Sequence, residues 1–527
     1  MRVSSEDAWN FCYVIPHTDP DTTLDETEIV VPNCLQMGWC ESPPFFCAAS
    51  ETARDVIEAL LQEMSLPEHP FEGEMLDEAT ASTKFRFQAT TTFINLVEVF
   101  VDDFIGATND LSDENLSHFS RAMLFGVHSI FPPPEISKHQ GQDPISQKKL
   151  QQGEGKWATT KEILGWLVNG ANFTLQLMPE KCAKISKLIK KVCKQSHCPL
   201  QKFQELAGKL QHASFGIPGG KGLFSPIHAA MRTTTKTVTL TPLIKTTLQD
   251  WRTLVNHLGK NPTPVQLLVS DYLNYIQYTD ACALGAGGVI TPGLDAIQYW
   301  VWQFEWPDDI KKELVTFENK TGKLTINDLE LAALVLGWMV LEYVCNDLTF
   351  KHIGMFCDNT SAVAWAYKGG TSRSIPAGRL LRLLSLRQRT RKASSLLPMH
   401  IAGENNAMAD IPSRAFKNGE YFHAHENLIT YFNSHFPLPQ NLSWQEFQVS
   451  SKMASRVISC LRGIQLPMES LHRLPKLRKS IGNTGPATVT TSSLIHSCQN
   501  KQTVRRLSSL QDLPPGFGPG LTETEIK

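Results

Sequence analysis

The sequence predicts a multidomain chain of the α/β and α+β classes, and three observations support this fold class. Its 527 residues are more than one hydrophobic core usually organises. From about residue 265 to Phe416, strand-like segments alternate with helical ones, which indicates an α/β layer fold. In the N-terminal half, two short apolar runs flank Asp102 and Asp103, which is the pattern of a β-hairpin.

Residues 1–155 form the first predicted domain. A helical segment from Cys47 to Leu61 follows Pro43-Pro44, a pair that we expect to stand outside the helix. Beyond a loop-like stretch, the hairpin spans about Phe93 to Ala107. The domain is therefore expected to combine a helix with a small antiparallel sheet.

Residues 156–260 form the second predicted domain. A strand at Thr174–Leu177 is followed by a helix that begins at Pro179, and another helix is predicted at about 200 to 215. Residues 265–416 form the third domain, of α/β type.

The chain beyond Phe416 changes character twice. Residues 417–470 predict a small helical region, and 471–527 form a low-complexity tail of Ser, Thr, Pro, Gly and Lys, which we expect to be a disordered linker. The residues after 416 could instead belong to a spacer before a recombinase or integrase. No zinc pattern and no Arg/His/Tyr constellation supports integration chemistry.

Composition narrows the class of protein. A net charge of −2 means that nucleic-acid binding would have to come from local basic patches. The twelve cysteines include no Cys-x-x-Cys pair, and the first residues lack the apolar core of a signal peptide, so we expect a reduced, intracellular protein that is not secreted. Cys193, His197 and Cys198 lie close together, but without a second ligand pair they do not predict zinc.

The most apolar run of the chain is Leu329 to Val344. It is short for a bilayer span, and Glu330 and Glu342 interrupt it. A buried helix is expected, and no membrane role.

Four acidic residues stand where predicted strands end or helices begin. Asp280 and Asp358 follow apolar strands, Glu330 opens a long helical pattern, and Asp410 follows a loop. Ligand sites of α/β folds gather at the carboxyl edge of the sheet. Carboxylates there could hold two Mg²⁺ or Mn²⁺ ions, about 3.5–4 Å apart, against a phosphodiester. Taken singly, each acid is more often an ordinary solvated strand cap.

The local sequences around these acids carry a family resemblance. The segments are Tyr278-Thr-Asp-Ala-Cys-Ala-Leu-Gly-Ala-Gly-Gly-Val, Asp328-Leu-Glu-Leu-Ala-Ala, Phe356-Cys-Asp-Asn-Thr-Ser-Ala-Val and His400-Ile-Ala-Gly-Glu-Asn-Asn-Ala-Met-Ala-Asp-Ile-Pro-Ser-Arg. They resemble, in the same order, the four active-site blocks of retroelement RNase H domains. The resemblance implies an RNase H-like domain with a mixed sheet, in which Asp280, Glu330, Asp358 and Asp410 ligate the metal ions. It further implies that His400 assists proton transfer or product release, and that Asn359 and Asn406 contact the nucleic acid.

A basic stretch lies between the third and fourth of these segments. Between Lys368 and Lys392 six arginines interleave with leucines, and no acid is present: Arg373, Arg379, Arg382, Arg387, Arg389 and Arg391. This pattern predicts an amphipathic helix whose leucines pack and whose arginines face phosphates. The alternative is a solvated basic face without a partner.

The N-terminal half resembles a different family. Phe100-Val-Asp-Asp-Phe is similar to the Asp-pair hairpin of reverse transcriptase palms, although Asp-Asp turns are also common on surfaces. Four further segments resemble the block before the Asp pair, the primer-grip strands and the thumb helix: Val31-Pro-Asn-Cys-Leu-Gln-Met-Gly-Trp-Cys-Glu-Ser-Pro-Pro-Phe-Phe-Cys, Glu162-Ile-Leu-Gly-Trp, Thr174-Leu-Gln-Leu-Met-Pro-Glu-Lys and Phe203-Gln-Glu-Leu-Ala-Gly-Lys-Leu-Gln-His-Ala-Ser. The resemblance implies a partial palm and a helical thumb, with Asp102 and Asp103 as catalytic acids and Asp102 as a metal ligand.

One part of that family pattern is missing. The first palm block would supply another metal-binding Asp, and Met1-Arg-Val-Ser-Ser-Glu-Asp-Ala-Trp resembles the sequence just downstream of it. Two acids of one hairpin cannot hold two metals in the usual geometry, so we expect that the chain as given does not polymerise DNA unaided.

Together the resemblances imply a fragment of a retrotransposon pol polyprotein. Its expected activity is cleavage of the RNA strand of RNA–DNA hybrids, with the hybrid as partner and other pol segments as further candidate partners. The alternative is a non-catalytic nucleic-acid-binding remnant of a retrotransposon.

Overall fold

A computed structural model describes residues 12–14, 29–31, 42–76, 94–133, 143–234, 236–269, 273–293, 298–345, 347–370, 374–393, 396–416, 427–439, 442–464 and 466–467. It divides into two units, Met1–Ile163 and Leu164–Lys527. The predicted tail 471–527, the segment 1–9, most of the block that begins at Val31, and Arg373 lie outside the described residues. The predicted fold class, a multidomain mixture of α/β and α+β structure, is confirmed for the described part of the chain.

The N-terminal unit is built from short strands and two long helices. Its elements are β1 (Tyr13–Val14), β2 (Ile29–Val30), α1 (Ser42–Leu60), β3 (Asn95–Phe100), β4 (Asp103–Thr108), α2 (Asp113–Ile130), α3 (Gln147–Gln151) and β5 (Thr160–Ile163). α1, α2 and β3 pack around Ile57, Val97 and Phe119, all of them buried. These apolar side chains supply the core of the unit.

The helix predicted at Cys47 begins earlier, at Ser42, with Pro43 and Pro44 in its first turn. Amide groups of a first turn have no intrahelical acceptor, so a residue without an N–H is tolerated there. The expectation that the proline pair stands outside the helix was therefore wrong.

The hairpin predicted around the Asp pair is confirmed. β3 and β4 pair antiparallel with Phe100 opposite Asp103, and Val101 takes a φ of 59° in the turn. Asp102 and Asp103 are both exposed.

The C-terminal unit starts with helices and short strands. They are β6 (Trp166–Asn169), β7 (Thr174–Leu177), α4 (Pro179–Cys193), β8 (His197–Pro199), α5 (Leu200–Ser214), α6 (Ser225–Arg232), β9 (Thr237–Thr239), α7 (Pro242–Leu258) and β10 (Thr263–Pro264). The helices predicted at Pro179 and at 200–215 are confirmed as α4 and α5. β6, β7 and β10 pair antiparallel, as do β8 and β9.

A mixed sheet of six strands dominates the rest of this unit. Its strands and helices are β11 (Tyr275–Ala281), β12 (Gly285–Pro292), β13 (Tyr299–Glu305), α8 (Asp308–Lys312), α9 (Ile326–Val344), β14 (Ile353–Cys357), α10 (Thr360–Lys368), α11 (Ile375–Thr390), β15 (Leu396–His400), α12 (Ala407–Arg414), α13 (Leu428–His435), β16 (Trp444–Gln448) and α14 (Ser451–Leu461). The strand order is β15-β14-β11-β12-β13-β16. β11, β14 and β15 run parallel, and so do β13 and β16, whereas β12 is antiparallel to both of its neighbours.

Two hydrophobic cores cover the two faces of this sheet. One holds α9, which is buried on all sides from Asp328 to Glu342. The other packs Tyr278, Val289 and Val301 against α12 and α13. The buried helix predicted for the most apolar run is confirmed. In the described residues, no helix has the length and apolar character that crossing a membrane requires.

The region predicted to be helical after Phe416 contains a strand. β16 pairs with β13 from Tyr299–Trp444 to Gln303–Gln448, and Trp444 is buried against Phe432. Pairing satisfies the backbone groups of β13 that would otherwise form a bare sheet edge. Residues 442–464 therefore complete the sheet that residues 275–400 begin.

Candidate active site

Two of the four predicted acids meet because their strands are neighbours. In the parallel pair β11 and β14, Thr279 lies opposite Cys357. The next residue of each strand is an aspartate, Asp280 and Asp358, so both carboxylates stand at the same edge of the sheet. Asp280 is only 4% exposed, and Asp358 is half-buried.

α9 brings the third acid to this edge. Glu330 lies near the start of the helix and is buried. Ligand atoms of Glu330, Cys357 and Asp358 all lie within 4.8 Å of one another. The Cys357 thiol donates to Glu330 Oε2 at 3.6 Å. The start of α9 is fixed by Asp328, whose Oδ2 accepts the Thr325 amide at 2.8 Å.

α12 brings the fourth acid from the other face of the sheet. The helix lies directly against β12, because Gly287 has no side chain: a Cβ there would stand 2.3 Å from the Ser413 amide nitrogen. At this close approach the Ser413 hydroxyl donates to the Asp280 carboxylate. Asp410 lies one turn earlier and pairs with Arg414, Nε to Oδ1, at 2.6 Å.

Three carboxylates of this cluster have raised pKa values, so they bind protons more readily than exposed carboxylates do. Burial, followed by the charges of Asp280 and Asp358, raises the pKa of Glu330 to about 9. Burial also raises the pKa of Asp280 to about 6, with Asp358 and Asp410 adding to the rise and Ser413 opposing it. The pKa of Asp358 is raised as well, by burial first and then by Asp410. Asp280 and Asp358 therefore act on Glu330 as like charges, and Asp410 acts in the same way on Asp280 and Asp358.

Such a donor set suits a hard divalent cation. Like charges this close are stable when a cation lies between them, and carboxylate oxygens are the ligands that Mg²⁺ and Mn²⁺ prefer. Burial and the neighbouring Glu330 strongly raise the pKa of the Cys357 thiol, so it stays protonated and serves as a donor. The residues present therefore fit a site for Mg²⁺ or Mn²⁺ built from carboxylate oxygens.

The predicted histidine lies beside this cluster. His400 ends β15 and is exposed, and its Nε2 lies 3.2 Å from the backbone oxygen of Asp358. That hydrogen bond, donated by the ring, holds the imidazole at the edge where Asp358 stands.

The two predicted asparagines differ. Asn359 is half-buried; its side chain caps α10 by accepting the Ala362 amide at 2.9 Å and donates to Asn327 Oδ1 at 2.8 Å. Asn406 is only 1% exposed and donates to the Thr279 carbonyl at 3.2 Å. Asn406 therefore ties the loop before α12 to β11, and its predicted contact with nucleic acid was wrong because the side chain is not accessible.

The prediction that the arginines of α11 face phosphates was wrong for two of them. Arg387 is fully buried and pairs with Glu342 of α9, its Nε 3.0 Å from both carboxylate oxygens. Arg382 is 5% exposed and pairs with Asp250 of α7 at 2.6 Å. The physical reason is that α11 is enclosed by other helices, so these arginines are held by acids from distant parts of the sequence.

The remaining arginines are less enclosed. Arg391 is half-buried with its Nε 3.6 Å from Glu342. Arg379 and Arg389 are also half-buried, and burial lowers the pKa of both. α11 is thus a packed helix rather than an open basic face.

The acids of the hairpin are not part of a comparable cluster. Across the described ranges, the one group of three or more potential metal ligands is Glu330, Cys357 and Asp358. Within that part of the chain Asp102 and Asp103 belong to no such group. Asp280 and Asp410 lie outside the group as well, but their charges act on its members or on each other, which is not seen for the hairpin acids in the described residues. Their predicted roles stay predictions.

Sequence reasoning missed four residues that contact the predicted acids or the asparagine beside them: Asn327, Cys357, Ser413 and Arg414. Ser413 and Arg414 follow Asp410 by three and four positions, a spacing that places side chains on one helix face. That spacing could have found them. Cys357 has the weaker signal of directly preceding Asp358, and Asn327 gives no signal without the fold.

The sequence matches no protein-family model and shows no significant match among curated proteins. Three solved structures resemble parts of the fold at low similarity. The foamy viral protease-reverse transcriptase in complex with an RNA/DNA hybrid has 12% identity and a TM-score of 0.33, over 93% of this chain and 45% of that one. The same kind of protein in complex with dsDNA has 13% identity and a TM-score of 0.32, over 85% and 65%. The dRH form of that protein in complex with ds DNA has 14% identity and a TM-score of 0.26, over 50% of this chain and 39% of that one.

The chain thus spans less than two thirds of each of these three proteins. TM-scores this low do not establish a shared overall fold, so the site rests on its own geometry.

Proposed function

We propose that the C-terminal unit is a metal-dependent nuclease of the RNase H type that cleaves the RNA strand of RNA–DNA hybrids. The observation that supports the proposal is electrostatic: the charges of Asp280 and Asp358 raise the pKa of Glu330, and the charge of Asp410 raises the pKa of Asp280 and of Asp358. Solvated strand caps would not be buried against like charges. The order of the four sequence blocks supplies the reaction class.

Each residue has a distinct proposed task. The four carboxylates hold Mg²⁺ or Mn²⁺, which when bound stabilises the negative charge that develops at the scissile phosphate. Ser413 and Arg414 orient Asp280 and Asp410 through the bonds described above. His400, exposed beside Asp358, moves a proton during cleavage or aids release of the product.

The proposed substrate follows from how hybrids are read. Proteins recognise RNA–DNA hybrids by shape and by 2′-hydroxyl contacts rather than by base sequence, so we propose cleavage with low sequence specificity. We propose that Asn359 and Asn327, which are hydrogen-bonded to each other, contact the strands.

A cleavage assay on a labelled hybrid with Mg²⁺ or Mn²⁺ tests the proposal. The wild-type chain is expected to cut the RNA strand of the hybrid and to leave duplex DNA intact. Asp358→Asn should lower the cleavage rate by about 10³-fold, whereas Asp308→Asn, which changes an exposed aspartate of α8, should leave the rate unchanged. If the wild-type chain binds the hybrid but does not cut it with either metal, the non-catalytic remnant is the better description.

For the polymerase, we propose that this chain does not extend a primer unaided. The support is that Asp102 and Asp103 stand exposed on one hairpin, and two acids of one hairpin cannot hold two metals in the usual geometry. Primer–template, dNTPs and Mg²⁺ offered to the purified chain should give no product, and robust extension would contradict the proposal.

A further inference from the structure

We propose that the outer face of α4 binds the phosphate backbone of a nucleic-acid duplex. The face, called the lysine face from here on, consists of five exposed lysines: Lys184, Lys187, Lys190, Lys191 and Lys194. At 3.6 residues per turn these positions fall within an arc of about 120°. The buried residues of α4, such as Ile185 and Ile189, point in the opposite direction.

Acidic side chains do little to offset this charge. The acid of α4 is Glu180, which lies one turn before Lys184 on the same side of the helix and so offsets charge only at that end of the lysine face. The acid of α7, which packs against α4, is Asp250, and its carboxylate is already paired with the buried Arg382 at 2.6 Å. α7 also brings Lys245 and Arg252 close enough to Cys193 to oppose the rise that burial causes in the pKa of that thiol. The surface is therefore strongly positive.

Local helix stability does not explain the whole row. Lysines in a last turn interact favourably with the helix dipole, which accounts for the three nearest the C-terminus. Lys184 follows Glu180 by four positions, a spacing that also favours the helix, but Lys187 lies in the middle of α4, where the effect of the dipole has faded. Lys181 shows the contrast: it is half-buried and donates to the Gly165 carbonyl at 3.2 Å. The exposed lysine face therefore presents its positive charge to an anion outside the helix.

The geometry favours a nucleic acid over a membrane. A basic amphipathic helix binds a bilayer by inserting its apolar side. The apolar side of α4, with Cys182, Ile185 and Ile189, is buried in the protein core instead. From Lys184 to Lys194 the helix rises about 15 Å, a distance over which one duplex strand presents about four phosphates. Lysines act there as point charges, so the contact would carry no sequence preference.

Salt dependence of binding gives a direct test. The choice of a duplex rests on the proposed function, but binding is measured in EDTA, so the result does not depend on cleavage. The affinity of the full chain for a labelled RNA–DNA hybrid is measured across a KCl series. Removing three lysines, in K184Q/K187Q/K191Q, should flatten the slope of log K against log salt by about 1 to 3. Affinity at low salt should fall about tenfold or more.

A variant with the same change in net charge provides the control. K148Q/K149Q/K323Q removes three exposed lysines elsewhere and should leave the slope near that of the wild type. Circular dichroism confirms that both variants fold. The proposal is overturned if the two variants weaken binding equally, or if K184Q/K187Q/K191Q retains hybrid binding. It is also overturned if that variant loses only binding to vesicles that contain phosphatidylserine.

Discussion

The acids of the active-site cluster and the arginines of α11 are both charged sets that the sequence points toward nucleic acid, yet the fold treats them differently. Each buried arginine has its own acid, Glu342 for Arg387 and Asp250 for Arg382. The buried acids Asp280 and Glu330 face other acids, with Arg414 as the cation at their edge. Burial with a partner indicates a structural role, whereas carboxylates buried among like charges are stabilised by bound protons or by an added metal cation.

The comparison is tested most strongly by removing one acid from the cluster. Asp358→Asn should lower the rate of hybrid cleavage by about 10³-fold, since metal-assisted charge stabilisation contributes several kcal/mol. Single-turnover rates in Mg²⁺ measure the effect. Glu342→Gln, measured at a temperature where it remains folded, should cleave near the wild-type rate. A large loss of cleavage rate in this variant would contradict a purely structural role for Glu342.

Removing an acid from a buried pair should instead damage stability. Glu342→Gln leaves the Arg387 guanidinium buried without its carboxylate, and we expect the free energy of unfolding to fall by about 3–5 kcal/mol. Urea denaturation followed by circular dichroism measures the change. Adding Arg387→Met to this variant should recover part of the loss, because the unpaired charge is then gone. Equal stability of the single and double variants would argue against the pair.

Glu330→Gln, in contrast to Glu342→Gln, should raise the free energy of unfolding when metal is absent. The pKa of Glu330 is raised from its ordinary 4.5 to about 9 and that of Asp280 from 3.8 to about 6, so the folded state binds more protons than the unfolded chain. The free energy of unfolding therefore falls as pH rises from about 4 to about 9. Glu330→Gln should flatten the upper part of this fall and raise the melting temperature at pH 8 in EDTA.

Melting curves across this pH range, with and without Mn²⁺, measure the effect. Mn²⁺ should restore stability to the wild type at high pH and have less effect on Glu330→Gln. A wild-type protein that becomes more stable as pH rises in EDTA would contradict the electrostatic account of the cluster.

The smallest effect is expected at His400, which is exposed and bonded to backbone. His400→Ala should reduce turnover about tenfold while leaving single-turnover cleavage less affected, if the ring aids product release. Comparing the two rates at saturating hybrid measures this. An equal loss in both would assign the ring to proton transfer during cleavage.

Features that depend on neighbouring residues could be predicted from the sequence, whereas most features that depend on contacts between distant segments could not. The hairpin at Asp102, the helix at Pro179 and the buried helix at Leu329 rest on local periodicity, and each of them forms as expected. The convergence of the acids could be predicted because strand ends share a sheet edge. The burial of Arg387 could not be predicted, because its partner Glu342 lies 45 positions away and the sequence between Lys368 and Lys392 gives no sign of that pairing.

Strand β16 marks the same limit. Trp444-Gln-Glu-Phe-Gln alternates only briefly, and its partner strand begins at Tyr299, far earlier in the chain. A pairing with such a long intervening segment leaves no trace in either stretch alone. The need for a sixth strand becomes evident only in the assembled sheet, where the backbone groups along the outer edge of β13 would otherwise be unpaired.

That sixth strand has a practical consequence for anyone who trims the protein. A version that stops at Phe416 would leave the backbone of Tyr299–Glu305, with its Trp, Val and Phe side chains, open to pair with another molecule. Such a fragment should self-associate into aggregates during expression. Extending it through Pro467 keeps that edge covered and should yield a monodisperse fragment.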